Sequence, residues 1–335
     1  MPKKVYVYDP TVSDTLSRVR GIGRYLQLLR ENFAAEFEFI DFKKTYDFND
    51  SVLINPFLNF LTPPLLMRRY AKKQIAVIHD LIPLKYGTYF PVGVRGNMNI
   101  FFNRVTLNNY DIFVTDSEAS KKDIVGMLKI NEEKVKVIYP CLPRTFMEPA
   151  TDNDGDLSLP DKYCVYVGDA TWNKNLVNLA KAIKMINATC VFVGKVFGEK
   201  SAKHPWQREL GGFLEESRDD KRFVFPGFVS DRQLLKIYQR SSLNILVSRD
   251  EGFGFSYLEA AMNSCPTLLS NIPVLKEISD GAAAFADPEN VSDIADKIGE
   301  IYFNRDMRNR LGRQAFKRSQ FFNHEGFKDS FMKLL

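Results

Sequence analysis

Residues 243–262 read L-N-I-L-V-S-R-D-E-G-F-G-F-S-Y-L-E-A-A-M: an apolar run, a turn holding two glycines, and a run with helical spacing, in direct succession. Leu243–Val247 is short and apolar apart from Asn244, which suits a parallel strand covered by helices on both faces. Gly252 and Gly254 let the chain turn sharply and bring its backbone close to a ligand. The spacing after them predicts a helix over Phe255–Asn263, whose first amides point back into the turn and suit an anion or a row of hydroxyl groups.

The same strand-then-helix alternation runs through the chain. Upstream, strands are predicted at Val5–Tyr8, Phe37–Asp41, Ser51–Asn55, Ile75–His79, Ile112–Thr115 and Val135–Tyr139. After a polar break they resume at Tyr163–Val167, Cys190–Val193, Phe223–Phe225, Leu243–Val247, Pro266–Ser270 and Ala283–Phe285. Helices are predicted at Ile22–Phe33, Glu118–Leu128, Leu176–Ile186 and Asp231–Gln239, with Ser117 and Ser230 placed as N-caps. The break, Glu148–Pro160, is rich in Asp, Gly, Ser and Pro and has no hydrophobic periodicity, so it reads as a linker. The expected fold class is therefore α/β, with two Rossmann-like domains facing across a cleft. Residues 1–150 form the first domain, residues 151–315 the second, and residues 316–335 a helix packing back on the first.

A chain of 335 residues is long enough for two cores, and 45% hydrophobic with 26% charged residues is ordinary globular composition. No apolar run reaches the ~18 residues of a membrane span, and strand-like residues begin at Val5, leaving no room for a signal peptide. Cys141, Cys164, Cys190 and Cys265 are far apart in apolar settings and read as buried free thiols of a cytoplasmic protein. Residues 1–150 hold 21 basic and 16 acidic side chains, against 25 of each in residues 151–335, so the excess charge belongs to the first half. Arg68-Arg69 with Lys72-Lys73 could meet a phosphate or an anionic membrane, or form a solvated helix face. Aromatic residues are not interleaved with basic ones, which argues against nucleic acid as a partner.

Metal sites find no support. Asp152, Asp154 and Asp156 loosely match a calcium loop, but Tyr163 stands where its Glu is needed, and His79, His204 and His324 are isolated. The chemistry concentrates elsewhere. Glu251 lies on the glycine turn and Glu259 inside the following helix; a carboxylate accepts two hydroxyls at once, so each could hold one end of a nucleotide sugar. Alternatively they are a helix-start Glu favoured by the dipole and a solvated one. Lys174, just before the helix at Leu176, with Asn173 as a possible cap, could offset a leaving diphosphate or decorate the surface. In R-V-R-G-I-G-R-Y (Arg18–Tyr25), Gly21 and Gly23 precede a helix, yet the dinucleotide fingerprint fails because Leu26 stands at its third glycine. His79 ends a strand, where Asp80 could orient it.

The stretch Asp250–Glu259 resembles the signature of retaining glycosyltransferases of the GT-B fold, in the large family numbered four, where two Glu are separated by seven residues. The resemblance extends through Ala260, Ala261, Met262 and Pro266, although Cys265 stands where that family usually has Gly. V-I-H-D-L-I-P (Val77–Pro83), D-S-E-A-S-K-K-D-I (Asp116–Ile124), V-G-D-A-T-W-N-K-N-L (Val167–Leu176) and P-G-F-V-S-D (Pro226–Asp231) match in the same order. The resemblance implies a hexosyltransferase that binds a nucleoside-diphosphate sugar and a glycan or lipid-linked acceptor, uses front-face attack, and needs neither metal nor cofactor. It puts Lys174 on the donor phosphates and His79 near the C6 hydroxyl of the transferred sugar, with Glu251 as the third catalytic residue. The donor would further meet Gly21, Gly23, Gly168, Gly252, Phe253, Gly254, Phe255 and Glu259, with Phe228, Val229 and Asp231 near the base. Many relatives carry Arg after the glycine where this chain has Asp169; either Arg249 or Lys195 compensates, or Asp169 points away. The segments look most like mannosyl- and rhamnosyl-transferring members, which favours GDP-mannose. An epimerase of the same fold and a catalytically inactive sugar-binding protein are the alternatives.

Overall fold

In the first half, apolar runs of four or five residues become strands because branched side chains can be buried on both faces at once. The computed structural model describes residues 4–12, 21–148, 157–199, 201–202, 204–227 and 229–335. In chain order these give β1 (Val5–Tyr8), α1 (Gly21–Phe33), β2 (Phe37–Ile40), β3 (Val52–Asn55), β4 (Lys73–Val77), α2 (Ile82–Lys85), α3 (Gly93–Thr106), β5 (Ile112–Thr115), α4 (Glu118–Leu128) and β6 (Val135–Val137). All pair in parallel in the order β2-β1-β3-β4-β5-β6, so the strand order reverses between β1 and β3.

The second half gives β7 (Cys164–Val167), α5 (Leu176–Ile186), β8 (Cys190–Val193), α6 (Arg208–Ser217), β9 (Phe223–Val224), α7 (Asp231–Arg240), β10 (Leu243–Leu246) and α8 (Phe255–Met262). It continues with β11 (Thr267–Ser270), α9 (Pro273–Ser279), β12 (Ala284–Ala286), α10 (Val291–Tyr302), α11 (Arg305–Ser319) and α12 (His324–Met332). The sheet order is β12-β11-β10-β7-β8-β9, again parallel throughout. Its order reverses between β7 and β10, and in open α/β sheets the crevice beyond the strand ends at that point takes ligands.

The chain forms two compact units. One comprises residues up to Gly87, Val92–Pro143 and Phe322–Leu335; the other comprises Thr88–Pro91 and Arg144–Phe321. The core of unit one includes Tyr6, Leu53, Ala76, Ile78 and Phe113, and that of unit two includes Tyr166, Leu179, Ile183, Phe192 and Ile245. Within unit one α12 lies on α1, with Phe327 beside Tyr25 (ring centroids 6.1 Å) and Phe331 beside Phe33 (5.7 Å). All four cysteines are buried and free, and burial pushes the Cys265 thiol up to about 12. No described helix is long and apolar enough to cross a membrane. Asp152, Asp154 and Asp156 lie outside the described residues, as does most of the expected linker.

Two local differences from the sequence reading have clear causes. β4 starts at Lys73 rather than Ile75 and stops before His79. Its polar start is tolerated because the fully buried Gln74 side chain accepts from the Tyr70 and Ala71 amides (2.7 and 3.0 Å) and donates to Asn109 O (2.8 Å). Gly21 and Gly23 do not form a loop ahead of α1 but its first turn. The caps of α4 and α7 are as expected: Ser117 accepts from the Ser120 amide, and Ser230 forms a capping box with Gln233.

Candidate active site

Unit two places its conspicuous side chains at the ends of β7 and β10. Gly168 follows β7, and a side chain there would strike the Tyr166 hydroxyl at 2.8 Å. A Cβ on Gly194 would lie 2.1 Å from Gly168 O, so β8 ends in a glycine because the two backbones touch. Beyond Gly168, Thr171 Oγ1 and, more weakly, its amide bond Asp169 Oδ1 (2.9 and 3.4 Å). Asp169 is therefore turned onto its own loop. Arg249 does not reach it: Arg249 donates to Glu289 (2.8 Å) and Trp172 O (2.7 Å), and lies 3.6 Å from Glu209.

Lys174 ends a short turn, Trp172–Lys174, and its Nζ donates to both oxygens of Glu251 at 2.7 and 2.9 Å. The pair is largely buried, at 19% and 9% side-chain exposure, and Ser248 Oγ adds a third donor to Glu251 at 2.7 Å. The loops are cross-stitched behind it. Asn173 Nδ2 donates to Asp250 O (3.0 Å), and the Arg249 amide donates to Asn173 O (2.7 Å). Asn173 is thus a bridge rather than the cap of α5; Asn175 occupies the cap position in the left-handed region, with Nδ2 on Val247 O and Pro288 O. The first amides of α5 are taken by Glu209, which accepts from Val177 N at 2.9 Å. Burial raises the Glu209 carboxyl above its usual range, against the pull of those amides and Arg249.

Gly254 takes φ +108 as the N-cap of α8, where a side chain would be both strained and 3.0 Å from Leu275. Gly252 is buried beside it, and Phe253 and Phe255 meet edge to face at 5.2 Å. Glu259, one turn into α8, is 3% exposed and accepts from Tyr238 of α7 at 2.9 Å. The structure thus joins Lys174 to Glu251, and Glu259 to Tyr238. Val229 and Asp231 lie at the start of α7, and Phe228 lies outside the described residues. Among the described residues no three His, Cys, Asp or Glu side chains cluster as a metal site would need.

In unit one, His79 follows β4 and is held from both ring nitrogens. Nδ1 is 2.6 Å from Asp116 Oδ2, and Nε2 is 3.2 Å from Pro56 O. Both partners are acceptors, so the arrangement is satisfied by a ring carrying two protons. Burial works against that charge, but the carboxylate of Asp116, its hydrogen bond and Asp80 outweigh it, and the His79 pKa is raised. The orienting carboxylate is Asp116, not Asp80, whose Oδ1 instead accepts from the Ile82 amide at 2.9 Å. Tyr25 stands edge-on to the imidazole at 4.6 Å.

Asp116, Glu209 and Tyr238 escaped the sequence reading as site partners. Asp116 had a usable signal, since it is an acidic residue set between a buried strand and a Ser cap. Glu209 and Tyr238 had none, being helix residues of unremarked sequence.

The family described as "Glycosyl transferases group 1" matches residues 149–318. The serotype-specific mannosyltransferase WbdA of Escherichia coli is 27% identical over 237 residues, covering 66% of this chain but 28% of WbdA. The O-antigen chain mannosyltransferase RfbU of Salmonella typhimurium is 24% identical over 68% of this chain and 59% of its own length. This chain thus spans less than two thirds of the length of these relatives. Among solved structures, Anabaena HepE in complex with UDP and glucose superposes with TM-score 0.73 at 13% identity, covering 99% of both chains. A glycosyltransferase from Rickettsia africae gives 0.66 at 16%, over 100% of this chain and 98% of that one. The two six-stranded parallel sheets with their helices therefore form a GT-B-like fold.

Proposed function

The chain belongs to the group 1 glycosyl transferases, and from that premise we propose that it moves a hexose, with retention, from a nucleoside-diphosphate sugar to a glycan or lipid-linked acceptor. The observation that carries this reading is the buried Lys174–Glu251 pair between β7 and β10, at the reversal of strand order, beside the N-terminus of α8. Departure of a diphosphate builds negative charge, and a fixed ammonium with helix-start amides offsets it without a metal. The α8 N-terminus fits this role better than that of α5, whose first amides already face Glu209. Glu251 would accept hydroxyls of the sugar, and Glu259 those of the ribose. Gly168, Gly252, Phe253, Gly254 and Phe255 would shape the donor pocket of unit two, and Val229 and Asp231 its base end, while the roles of Gly21 and Gly23 toward the donor are carried by the family resemblance alone.

Attack from the front face, with the leaving phosphate taking the acceptor proton, suits a protein that supplies position and electrostatics. For His79 to donate to the transferred sugar, Nε2–H would leave Pro56 O, the longer of its two bonds at 3.2 Å, while Asp116 keeps Nδ1. Mannose is the favoured sugar, because WbdA and RfbU are named as mannosyltransferases. HepE was solved with UDP and glucose, so the nucleotide must be tested directly.

The test is a thermal-shift screen across GDP-, UDP- and dTDP-sugars, followed by transfer or donor hydrolysis with the one that binds. GDP-mannose is expected to raise the melting temperature, with turnover that survives EDTA and disappears in Glu259→Ala. No shift from any nucleotide sugar would refute the reading, and interconversion of free sugar nucleotides would replace it with an epimerase.

A further inference from the structure

α3 is built inside out. Val94, Met98, Phe101, Phe102 and Val105 follow helical spacing on one face, and that face is in solvent, with Val94 80% and Phe101 63% exposed. The polar residues turn inward instead. Asn99 Nδ2 donates to Leu61 O (2.8 Å), Asn103 Nδ2 donates to Thr62 O (2.8 Å), and Thr106 Oγ1 donates to Asn103 O (3.0 Å). The two asparagine bonds fasten the helix to the irregular segment after β3, whose backbone would otherwise lack partners, and they fix which face points out. An apolar stripe held outward by specific hydrogen bonds is a surface awaiting a partner.

Charge identifies the partner. From Ser51 to Tyr110 the sequence holds seven basic residues and a single acidic one, Asp80. The basic cluster conspicuous in sequence is partly used up, since Arg69 bonds Asp111 and Lys72 bonds Asp50. Arg95 and Arg104, near the two ends of α3, are exposed and make no ion pair among the described residues. At 14 residues the helix is about 21 Å long. That is too short to span a bilayer, but it suits a helix lying in the interface with Phe and Met below and Arg at the headgroups.

We propose that α3 docks unit one onto an anionic phospholipid bilayer. A second copy of the chain fits worse, because a twofold contact on this face brings the arginines of both copies together, and the stretch Ser51–Tyr110 holds one acidic residue, Asp80, to seven basic ones. The inference rests on unit one alone and does not depend on the sugar-transfer reading.

Flotation of the full chain with phosphatidylcholine vesicles, with and without phosphatidylglycerol, tests it. Binding is expected only with phosphatidylglycerol, and weaker at about 0.5 M salt than at about 0.05 M. Arg95→Ser with Arg104→Ser should cut partitioning about 30-fold, from roughly fivefold per basic residue. Phe101→Ser with Phe102→Ser should abolish it at unchanged circular dichroism and melting temperature, as expected of exposed positions. Absence of binding, binding indifferent to lipid charge, or variants that float like the wild type overturn the proposal. So does a dimer in gel filtration that the phenylalanine variants dissociate, which would assign the face to a second copy.

Discussion

Replacing Glu251 by Gln removes the counter-charge from a lysine that has little water to turn to. Lys174 is 19% exposed, and its Nζ donates to both carboxylate oxygens. The glutamine amide offers one acceptor and sets an NH2 group against the ammonium. Breaking a fully buried pair costs about 3–5 kcal/mol. Partial exposure of Lys174 lets water recover some of that, so about 2–3 kcal/mol is expected for Glu251→Gln. For a unit of this size that lowers the melting temperature by about 5–10 °C. Removing both charges in Lys174→Met/Glu251→Gln should cost less than the sum of the single variants, with a coupling of about 2 kcal/mol. Urea unfolding followed by tryptophan fluorescence reads the right unit, because the two tryptophans, Trp172 and Trp206, both belong to unit two. A coupling below about 0.5 kcal/mol would show that the two side chains act independently and would refute the ion-pair argument.

Two further outcomes follow from the geometry. The folded pKa of His79 lies above its ordinary 6.5, so the stabilisation it provides is complete below about 6.5 and is lost as pH rises through the folded value. The thermal midpoint of unit one should fall over that window, and His79→Gln/Asp116→Asn should flatten the profile; an unchanged slope would contradict the pairing. Gly194→Ala drives a Cβ to 2.1 Å from Gly168 O, whereas Gly198→Ala meets nothing within 4 Å. Urea unfolding should show the first losing about 3 kcal/mol and the second almost nothing, and equal losses would mean the close approach is not real.

The fold was legible where burial on both faces leaves an unbroken apolar run. Val5–Tyr8, Ile112–Thr115 and Cys190–Val193 form strands over the expected residues, and the remaining strands differ by one or two residues at their ends. It was not legible where polar side chains are buried. Gln74 lengthens β4 because its amide closes three backbone bonds, and α3 escapes a pattern reading because its asparagines face in. The candidate site divides in the same way. Lys174 and Glu251 stand in contiguous motifs, while their surroundings are set by partners distant in sequence. His79 finds Asp116 37 positions away, α5 meets Glu209 32 positions from Val177, and Glu259 finds Tyr238 21 positions back. A neighbour in sequence, Asp80, was the natural but mistaken choice for His79, since only the fold reveals that its carboxylate serves the start of α2.

The same distinction bears on Asp169, the residue most at odds with sugar-phosphate binding. Its charge would oppose a diphosphate only if the carboxylate faced the ligand, and Thr171 holds it on its own loop. Arg249 is not a replacement cation, because Glu289, Glu209 and Trp172 O already surround it. Under the proposed reading Lys174, with the first amides of α8, would meet the phosphate by exchange of one anion for another. When a diphosphate takes the ammonium, Glu251 keeps its bond from Ser248 and gains acceptor capacity for sugar hydroxyls. The lysine keeps a counter-charge throughout, while Glu251 exchanges its ion pair for hydrogen bonds from Ser248 and the sugar hydroxyls. A resting ion pair at this position is thus compatible with donor binding: it holds each group in place until the ligand separates them.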